Sequence, residues 1–327
     1  MALHCRLARL DDLPRCQELT ALWARGVHTP ETYAELPHVW QSLLRDARLS
    51  VYVFEDDALP KPERIQGYVT AGFATDEWAA RVMREDSPYL ARQLVQATLA
   101  GESLLLDRDA LGVANTEDGV NAFGLDFALA NSDWYRSSVI RWFPLMEKSL
   151  RDWVAGWKLR TLVREVYGRD TYLMARTAGY SLLRDLSAAV SKRVPTRERP
   201  YLCGATREIA RRHPSSAAGR LFQYTEPNYE FTVGEQDVLL LALRLMNDQE
   251  IADTLFISSH TVKMRWRSIF THVNERHPQL LPAQPEADEG SGKRGGEKRR
   301  YLLGYLKDHM EELRPRVTKR RHSEARN

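Results

Sequence analysis

The sequence predicts a multidomain chain, an N-terminal mixed α/β (α+β) domain followed by a small all-α domain. Three observations predict it. Strand-like and helix-like patterns alternate over residues 1 to about 200. Residues 228–278 hold three short amphipathic helices. Two breaks punctuate the chain: PSSAAG within Arg211–Arg220, and the Pro-, Gly- and charge-rich LPAQPEADEGSGKRGG at 281–296. The domains are therefore read as 1–205, a linker at 206–227, 228–278, a flexible linker at 279–296, and an amphipathic helix with a basic tail at 297–327.

Composition narrows the class. An apolar fraction of 43% and a charged fraction of 28% are ordinary for a water-soluble globular chain of 327 residues. The run Val238–Leu243 is far short of the roughly 20 apolar residues a membrane span needs. The start, MALHCRLARLDDLPR, puts charges where a secretory signal needs an apolar core. Cys5, Cys16 and Cys203 have neither zinc-site nor disulfide spacing, and read as small half-buried side chains. A cytoplasmic protein without metal or membrane partner is expected. From Ser291 to Asn327 twelve Lys or Arg stand against five Asp or Glu, a net +7, so the remainder carries −4. A basic tail beside an acidic body points to an anionic partner.

The N-terminal elements run in order. A strand at His4–Ala8 precedes helices at Leu13–Ala24 and Tyr33–Arg45. Strands follow at Leu49–Glu55 and Arg64–Ala74, then a helical stretch at Trp78–Leu99. Further strands are placed at Ser103–Leu106 and Asn121–Ala130. A helix at Trp142–Trp157, a strand at Leu159–Tyr167 and a helix at Thr171–Thr177, ended by Gly179, lead to a strand from Tyr180.

In the C-terminal part, Thr232 and Glu235 have the spacing of a capping box, and Val238, Leu239, Ala242 and Leu245 form an apolar stripe. Asn247 and Glu250 repeat the cap before Ile251, Ala252 and Leu255. Ser258 caps a third helix that buries Val262, Trp266, Ile269, Phe270 and Val273. The connection at Phe256–Ile257 is so short that the second and third helices must cross steeply, as in a helix-turn-helix. Lys263 and Arg267 lie four apart on the third helix, with His260, Met264 and Thr271 on their side and Arg265 and Ser268 flanking. A plain solvated basic face is the competing reading.

The stretch FTVGEQDVLLLALRLMNDQEIADTLFISSHTVKMRWRSIF resembles the DNA-binding domain of LuxR-type transcription regulators. The resemblance implies double-stranded DNA as partner, read by a homodimer on a pseudo-palindromic operator. It implies contacts to phosphates and base edges from Ser259, Thr261, Lys263 and Arg267, with Val262 near the groove. His260, Met264, Arg265 and Thr271 complete the expected surface. Arg265 and Trp266 depart from the family's usual His and aliphatic residue, and Arg244–Met246 stand where a glycine is often found. The later segment EKRRYLLGYLKDHMEELRPR carries Leu302, Tyr305, Leu306, Met310 and Leu313 on one stripe. It is open to packing on its own domain, on a second subunit or on DNA, with internal packing or dimerisation favoured. Lys298, Arg299 and Arg300 are further candidate phosphate contacts.

The N-terminal order resembles the GNAT acyltransferase fold, on CRLARLDDLPRCQEL, on VNAFGLDFAL with the helix after it, and on MARTAGYSLLRD. Two departures stand out. The segment NSDWYRSSVIR after Ala130 has no glycine to cradle a coenzyme pyrophosphate, and the family's tyrosine acid falls on Ala175. The chain is accordingly expected to be no enzyme, with no catalytic residue and no cofactor, its N-terminal domain sensing a small-molecule effector or mediating dimerisation. An acyl-CoA-dependent transferase carrying a DNA-binding domain is the alternative. Arg136 and Arg141 could grip an anion but read more simply as surface charge. Trp134, Tyr135, Trp142, Phe143, Trp153 and Trp157 read as core before pocket. His28 and His38 have no partner visible in the sequence.

Overall fold

A computed structural model describes residues 3–23, 26–130, 141–282 and 293–317. They fall into two compact units: Met1–Val154 with Lys158–Gln223, and Ala155–Trp157 with Tyr224–Asn327.

The first unit runs β1 (Leu3–Leu7), α1 (Leu13–Trp23), α2 (Pro30–Arg45), β2 (Leu49–Asp56), β3 (Ile65–Ala74), α3 (Asp76–Arg84), α4 (Leu90–Leu99), α5 (Arg108–Thr116) and β4 (Val120–Leu129). It continues with α6 (Phe143–Val154), β5 (Leu159–Tyr167), α7 (Arg169–Thr177), β6 (Ser181–Asp185), β7 (Pro200–Thr206), α8 (Arg207–Arg212) and α9 (Ala217–Arg220). The strands form one seven-stranded mixed sheet, order β1-β2-β3-β4-β5-β7-β6. Only β4 and β5 are parallel, as a strand–helix–strand crossover through α6 allows.

Strand alternation sends side chains to two cores. Val51, Val53, Tyr68, Phe123 and Leu125 face α1–α4. Phe54, Val69, Phe127 and Leu129 face the α6 side, against Trp142 and Met146. The parity of β4 changes within the strand, because its register against β3 passes from Gly124↔Ala71 to Asp126↔Thr70. One extra residue, Leu125, is a β-bulge, and a one-residue slip exchanges the faces of all that follows. Asp126 is thereby turned toward α1.

Several expectations are corrected. The stretch 78–99 is two helices: Pro88 has no N–H to give and keeps its predecessor out of the helical region, so the chain re-enters helix only at Leu90. Ser103–Leu106 is no strand, and only Leu105 bridges to Ala74. β7 and α5 have no counterpart among the expected elements. Within 206–227, read as linker, α8 and α9 bury Ala210 and Ala218.

The described residues of the second unit are all-helical apart from turns: α10 (Val233–Leu243), α11 (Asp248–Leu255), α12 (Ser259–Arg276) and α13 (Lys293–Asp308), then a 3₁₀ turn at Met310–Leu313. Capping boxes at Thr232/Glu235 and Asn247/Glu250 start α10 and α11, and Ser258 caps α12. Val238, Ile251, Val262, Trp266, Leu302 and Leu306 share one core. The stripe of the last helix is thus used within its own unit, and α13 begins at Lys293 rather than Glu297. The linker residues 283–292 lie outside those described. Among the described residues no helix is long and apolar enough to cross a membrane.

Candidate functional site

In the first unit, the parallel ladder of β4 and β5 stops at Gly124↔Arg164. β4 nonetheless continues to Leu129 and β5 to Tyr167. The strands splay because their far ends are claimed by other neighbours, β3 on one side and β7 on the other. A cleft of about 440 Å³ opens at the splay, its walls including Phe127, Met146, Leu150, Trp153 and Met174. Ala175 lies in this wall, so the position of the missing tyrosine acid faces the cleft with a methyl group. Trp153 both lines the cleft and stacks on Phe73 at 4.9 Å, and Trp142 packs against Phe54, as the core reading expected. Arg141 pairs with Asp56 at 2.9 Å. Trp134, Tyr135 and Arg136 lie outside the described residues, as does the glycine-less segment up to residue 140.

The apolar walls end at a polar group on the α1 face of the sheet. Asp126 and Glu165, on the two splayed strands, border the cleft. The bulge aims Asp126 at Tyr68, whose hydroxyl donates to Oδ2 at 2.7 Å and also meets Thr20 Oγ1 at 2.6 Å. Glu165 accepts from the N–H groups of Tyr89 and Leu90 at 2.7 and 2.9 Å and from the Tyr167 hydroxyl at 3.1 Å. It thereby caps α4, where Tyr89 takes a left-handed φ of 70°. Burial pushes the Glu165 carboxyl above its ordinary range, against those three donors and with help from Asp126. Burial, then Glu165, likewise raise the Tyr167 hydroxyl. His28, in the α1–α2 connection, brings Nε2 to 3.7 Å from Asp126 Oδ2 with its side chain 2% exposed. Sequence reading left His28 alone because its partner is about a hundred residues away. The acid in the middle of VNAFGLDFAL was the available signal, since a carboxylate inside a buried strand contradicts its surroundings.

In the second unit, Val262, Trp266, Ile269 and Val273 form the buried stripe of α12, and His260, Lys263, Met264, Arg267 and Thr271 lie on its exposed side. Ser259 and Thr261 are half-buried at the helix start, where the Ser258 hydroxyl caps Thr261 N at 3.0 Å. Three expected contacts are corrected. Val262 is fully buried, being one turn before Trp266 on the core stripe. Arg265 turns toward α10 and donates to the Gly234 carbonyl at 3.2 Å. Arg299 forms a two-point ion pair with Asp248 at 2.8 and 2.9 Å and lies 4.4 Å over the Trp266 ring, so its charge is already engaged. Arg300 remains exposed and Lys298 is half-buried. Among the described residues no group of His, Cys, Asp and Glu is arranged to hold a metal.

The seven-stranded mixed sheet with one parallel pair, splayed at its end over a cleft, fits the GNAT-like fold expected of the first unit. No family model matches the chain. No curated protein matches it either. Among solved structures it is similar to Arabidopsis thaliana NAA60 in complex with acetyl-CoA, at 12% identity over 63% of this chain and 98% of that one, TM-score 0.36. It is similar to a mosquito arylalkylamine N-acetyltransferase, like 5b, at 12% identity over 63% and 100%, TM-score 0.36. A protein of Desulfovibrio desulfuricans described as GNAT-family gives 14% identity over 63% and 99%, TM-score 0.35. The expectation that the chain is no enzyme is corrected here: several of the structures that it is similar to are described as acetyltransferases. The LuxR-type resemblance of 228–278 rests on its own residues.

Proposed function

We propose that the chain is an acyl-CoA-dependent transferase of GNAT type that carries a DNA-binding helix-turn-helix. The observation that carries the reading is the β4/β5 splay, which joins an apolar cleft to a buried acidic group. Beyond Gly124, β4 has no β5 partner, so its edge is available to an extended amide-bearing chain, and the cleft suits an apolar arm of that kind. Phe127, Leu150, Trp153 and Met174 would hold the pantetheine arm of an acyl thioester, which supplies an activated acyl carbon when bound. Asp126 and Glu165 would face the acceptor. Ala175 supplies no proton donor, so the leaving thiol must draw its proton from another group.

Calorimetry with acetyl-CoA tests the reading. Ala175→Trp, which fills the cleft, should weaken binding at least tenfold and abolish thiol release. Failure of the natural chain to bind acetyl-CoA or coenzyme A would overturn it.

The exposed stripe of α12 supports the second half of the proposal. His260, Lys263, Met264, Arg267 and Thr271 offer cations and small polar groups on one face of a capped helix, which suits phosphates and base edges of a major groove. A homodimer would set two such helices about 34–36 Å apart on a pseudo-palindromic site. Gel shifts on the gene's own upstream region, with Lys263→Ala/Arg267→Ala as comparison, test this. Unchanged affinity in the double variant would remove α12 from the interface.

A further inference from the structure

We infer that the first unit carries a second binding site, a basic groove beside α7 that takes a small phosphate monoester as its dianion. The inference goes beyond the transferase and DNA-binding readings and depends on neither.

The groove, of about 840 Å³, lies where the turn from α7 into β6 meets the turn from α8 into α9. The two turns are fastened together. The Ala218 N–H donates to the Ala178 carbonyl at 2.8 Å. Gly179, at φ 94°, sits so close to the other turn that a Cβ there would come within 2.6 Å of Ser216 Oγ. The groove is therefore formed before any ligand arrives. Arg176, in the last turn of α7, and Arg212 and His213, at the end of α8, bring two guanidinium groups and an imidazole to it. It is separate from the cleft, with which it shares Tyr180 alone.

Three observations point to a phosphoryl group. The first is that these cations are not used elsewhere. Cations in a last turn commonly serve the helix's own carbonyls. Here the backbone does so itself: the N–H groups of Ala178, Tyr180 and Gly179 close α7 on Met174, Ala175 and Arg176, and that of His213 closes α8 on Ile209 and Ala210. Among the described residues Arg176 takes part in no ion pair, and its guanidinium carbon lies over the Tyr172 ring, 5.9 Å from its centre. Arg212 pairs with Glu208 one turn back, but the two side chains are 69% and 73% exposed. A pair so open to water is weak and gives way to a dianion.

The second observation is Tyr180. The residue is 6% exposed, and its hydroxyl has no hydrogen-bond partner among the described residues. Burial, opposed by Arg164, raises that hydroxyl above its ordinary value, so it keeps its proton and remains a donor. A phosphate oxygen would satisfy a buried donor that folded proteins rarely leave unmet. The third is the field. Residues 158–223 carry fourteen Lys or Arg against five Asp or Glu, a net +9, whereas residues 1–154 carry sixteen against twenty-three, a net −7. An anion is drawn to the half of the unit that holds the groove. Two guanidinium groups match the several oxygens of a phosphoryl group better than the single charge of a carboxylate. Leu182 and Ile209 give the groove an apolar side, which suits a small organic body on the ester.

The test titrates the full chain with phenyl phosphate by calorimetry at fixed ionic strength, with and without acetyl-CoA. One phenyl phosphate should bind per chain under both conditions. Arg176→Gln/Arg212→Gln should weaken binding at least about tenfold, as the loss of charge-assisted hydrogen bonds requires. Tyr180→Phe, which removes only the hydroxyl, should weaken it about threefold without lowering the melting temperature. Inorganic phosphate should bind more weakly than the ester, and equal affinity would overturn the ester assignment. Absence of phenyl phosphate binding at millimolar concentration overturns the inference, as does unchanged affinity in the double variant. Displacement of phenyl phosphate by acetyl-CoA would return the groove to the cleft's own ligand and equally overturn it. A double variant that loses affinity for duplex DNA, in a chain that ignores phenyl phosphate, would make this a nucleic-acid surface instead. Should the double variant fail to fold, Leu182→Glu, at an exposed position of the groove, must abolish phenyl phosphate binding, and retained binding counts against the site.

Discussion

Leu245 and Phe256 show what single residues do in the small helical unit. Each follows a helix, α10 and α11, in the left-handed region, with φ of 65° and 53°. Each closes a Schellman-type end: Leu245 and Met246 donate back to Ala242 and Leu241, and Phe256 and Ile257 to Asp253 and Ala252. Glycine is the usual residue at that point, because a side chain there costs about 1–2 kcal/mol. Leu245 gains little in return, being 89% exposed. Leu245→Gly should therefore raise stability by about 0.5–1 kcal/mol after the added chain entropy of glycine is subtracted. A thermal melt would register this as an upward shift of a few degrees in the helical unit's transition, and a lower melting point would show that Leu245 packs on something. The sequence placed Leu245 on the apolar stripe of its helix, and periodicity alone could not know that the helix stops at Leu243. The missing glycine was visible in the sequence. That Leu245 takes the glycine's conformation was not.

At the scale of elements, the strands and helices with a clean period were legible, and those set by partners were not. β2, β3, β4 and β5 were all placed from their apolar patterns, and the three capped helices of 228–278 were read from Thr232, Asn247 and Ser258. β7 was missed because PYLCGAT alternates poorly and is a strand only by lying between β5 and β6. The bulge at Leu125 was equally invisible, yet it decides which face Asp126 and the rest of β4 present. The site was half legible for this reason: the acid could be suspected, but its face and its neighbour His28 belong to the register. The junction of β1 with β2 allows a pH test of such a long-range arrangement. Arg6 grips Asp12 at 2.6 and 3.1 Å and reaches Glu55 at 2.6 Å. Burial works to raise both carboxyls, but the Arg6 contacts, with the Arg9 N–H for Asp12 and His4 for Glu55, outweigh it and hold both below their ordinary values of 3.8 and 4.5. A depressed carboxyl contributes stability that is complete above its ordinary value and is lost as pH falls through its folded value. Urea unfolding should find Arg6→Gln less stable by about 1–3 kcal/mol at neutral pH. That gap should shrink once the pH falls below about 4, as both carboxyls take up protons in either protein. A gap constant down to pH 2 would mean that Arg6 acts by packing alone.

For the whole molecule, charge is unevenly spread, with a net of +7 on the last 37 residues, −4 on the rest, and exposed cations on α12, and the proposed DNA partner can be tested through it. Such a distribution leads to a quantitative expectation. Each phosphate that a Lys or Arg neutralises releases condensed counterions, so the logarithm of affinity falls linearly with the logarithm of salt concentration, by about 0.9 per contact on duplex DNA. Lys263 and Arg267 are exposed and, among the described residues, take part in no ion pair, whereas Arg265 and Arg299 are bound within their own unit. Removing Lys263 and Arg267 together should flatten the salt dependence by up to about two such increments for each protomer. Removing Arg299 should leave the slope unchanged and instead destabilise the fold, because Asp248 and the Trp266 ring lose their partner. Fluorescence anisotropy on a labelled duplex, titrated at several salt concentrations and paired with thermal melts of each variant, separates the two behaviours. A slope that drops on losing Arg299 but not Lys263 and Arg267 would mean that DNA meets the α13 side of the unit and that the exposed stripe of α12 is only a solvated face.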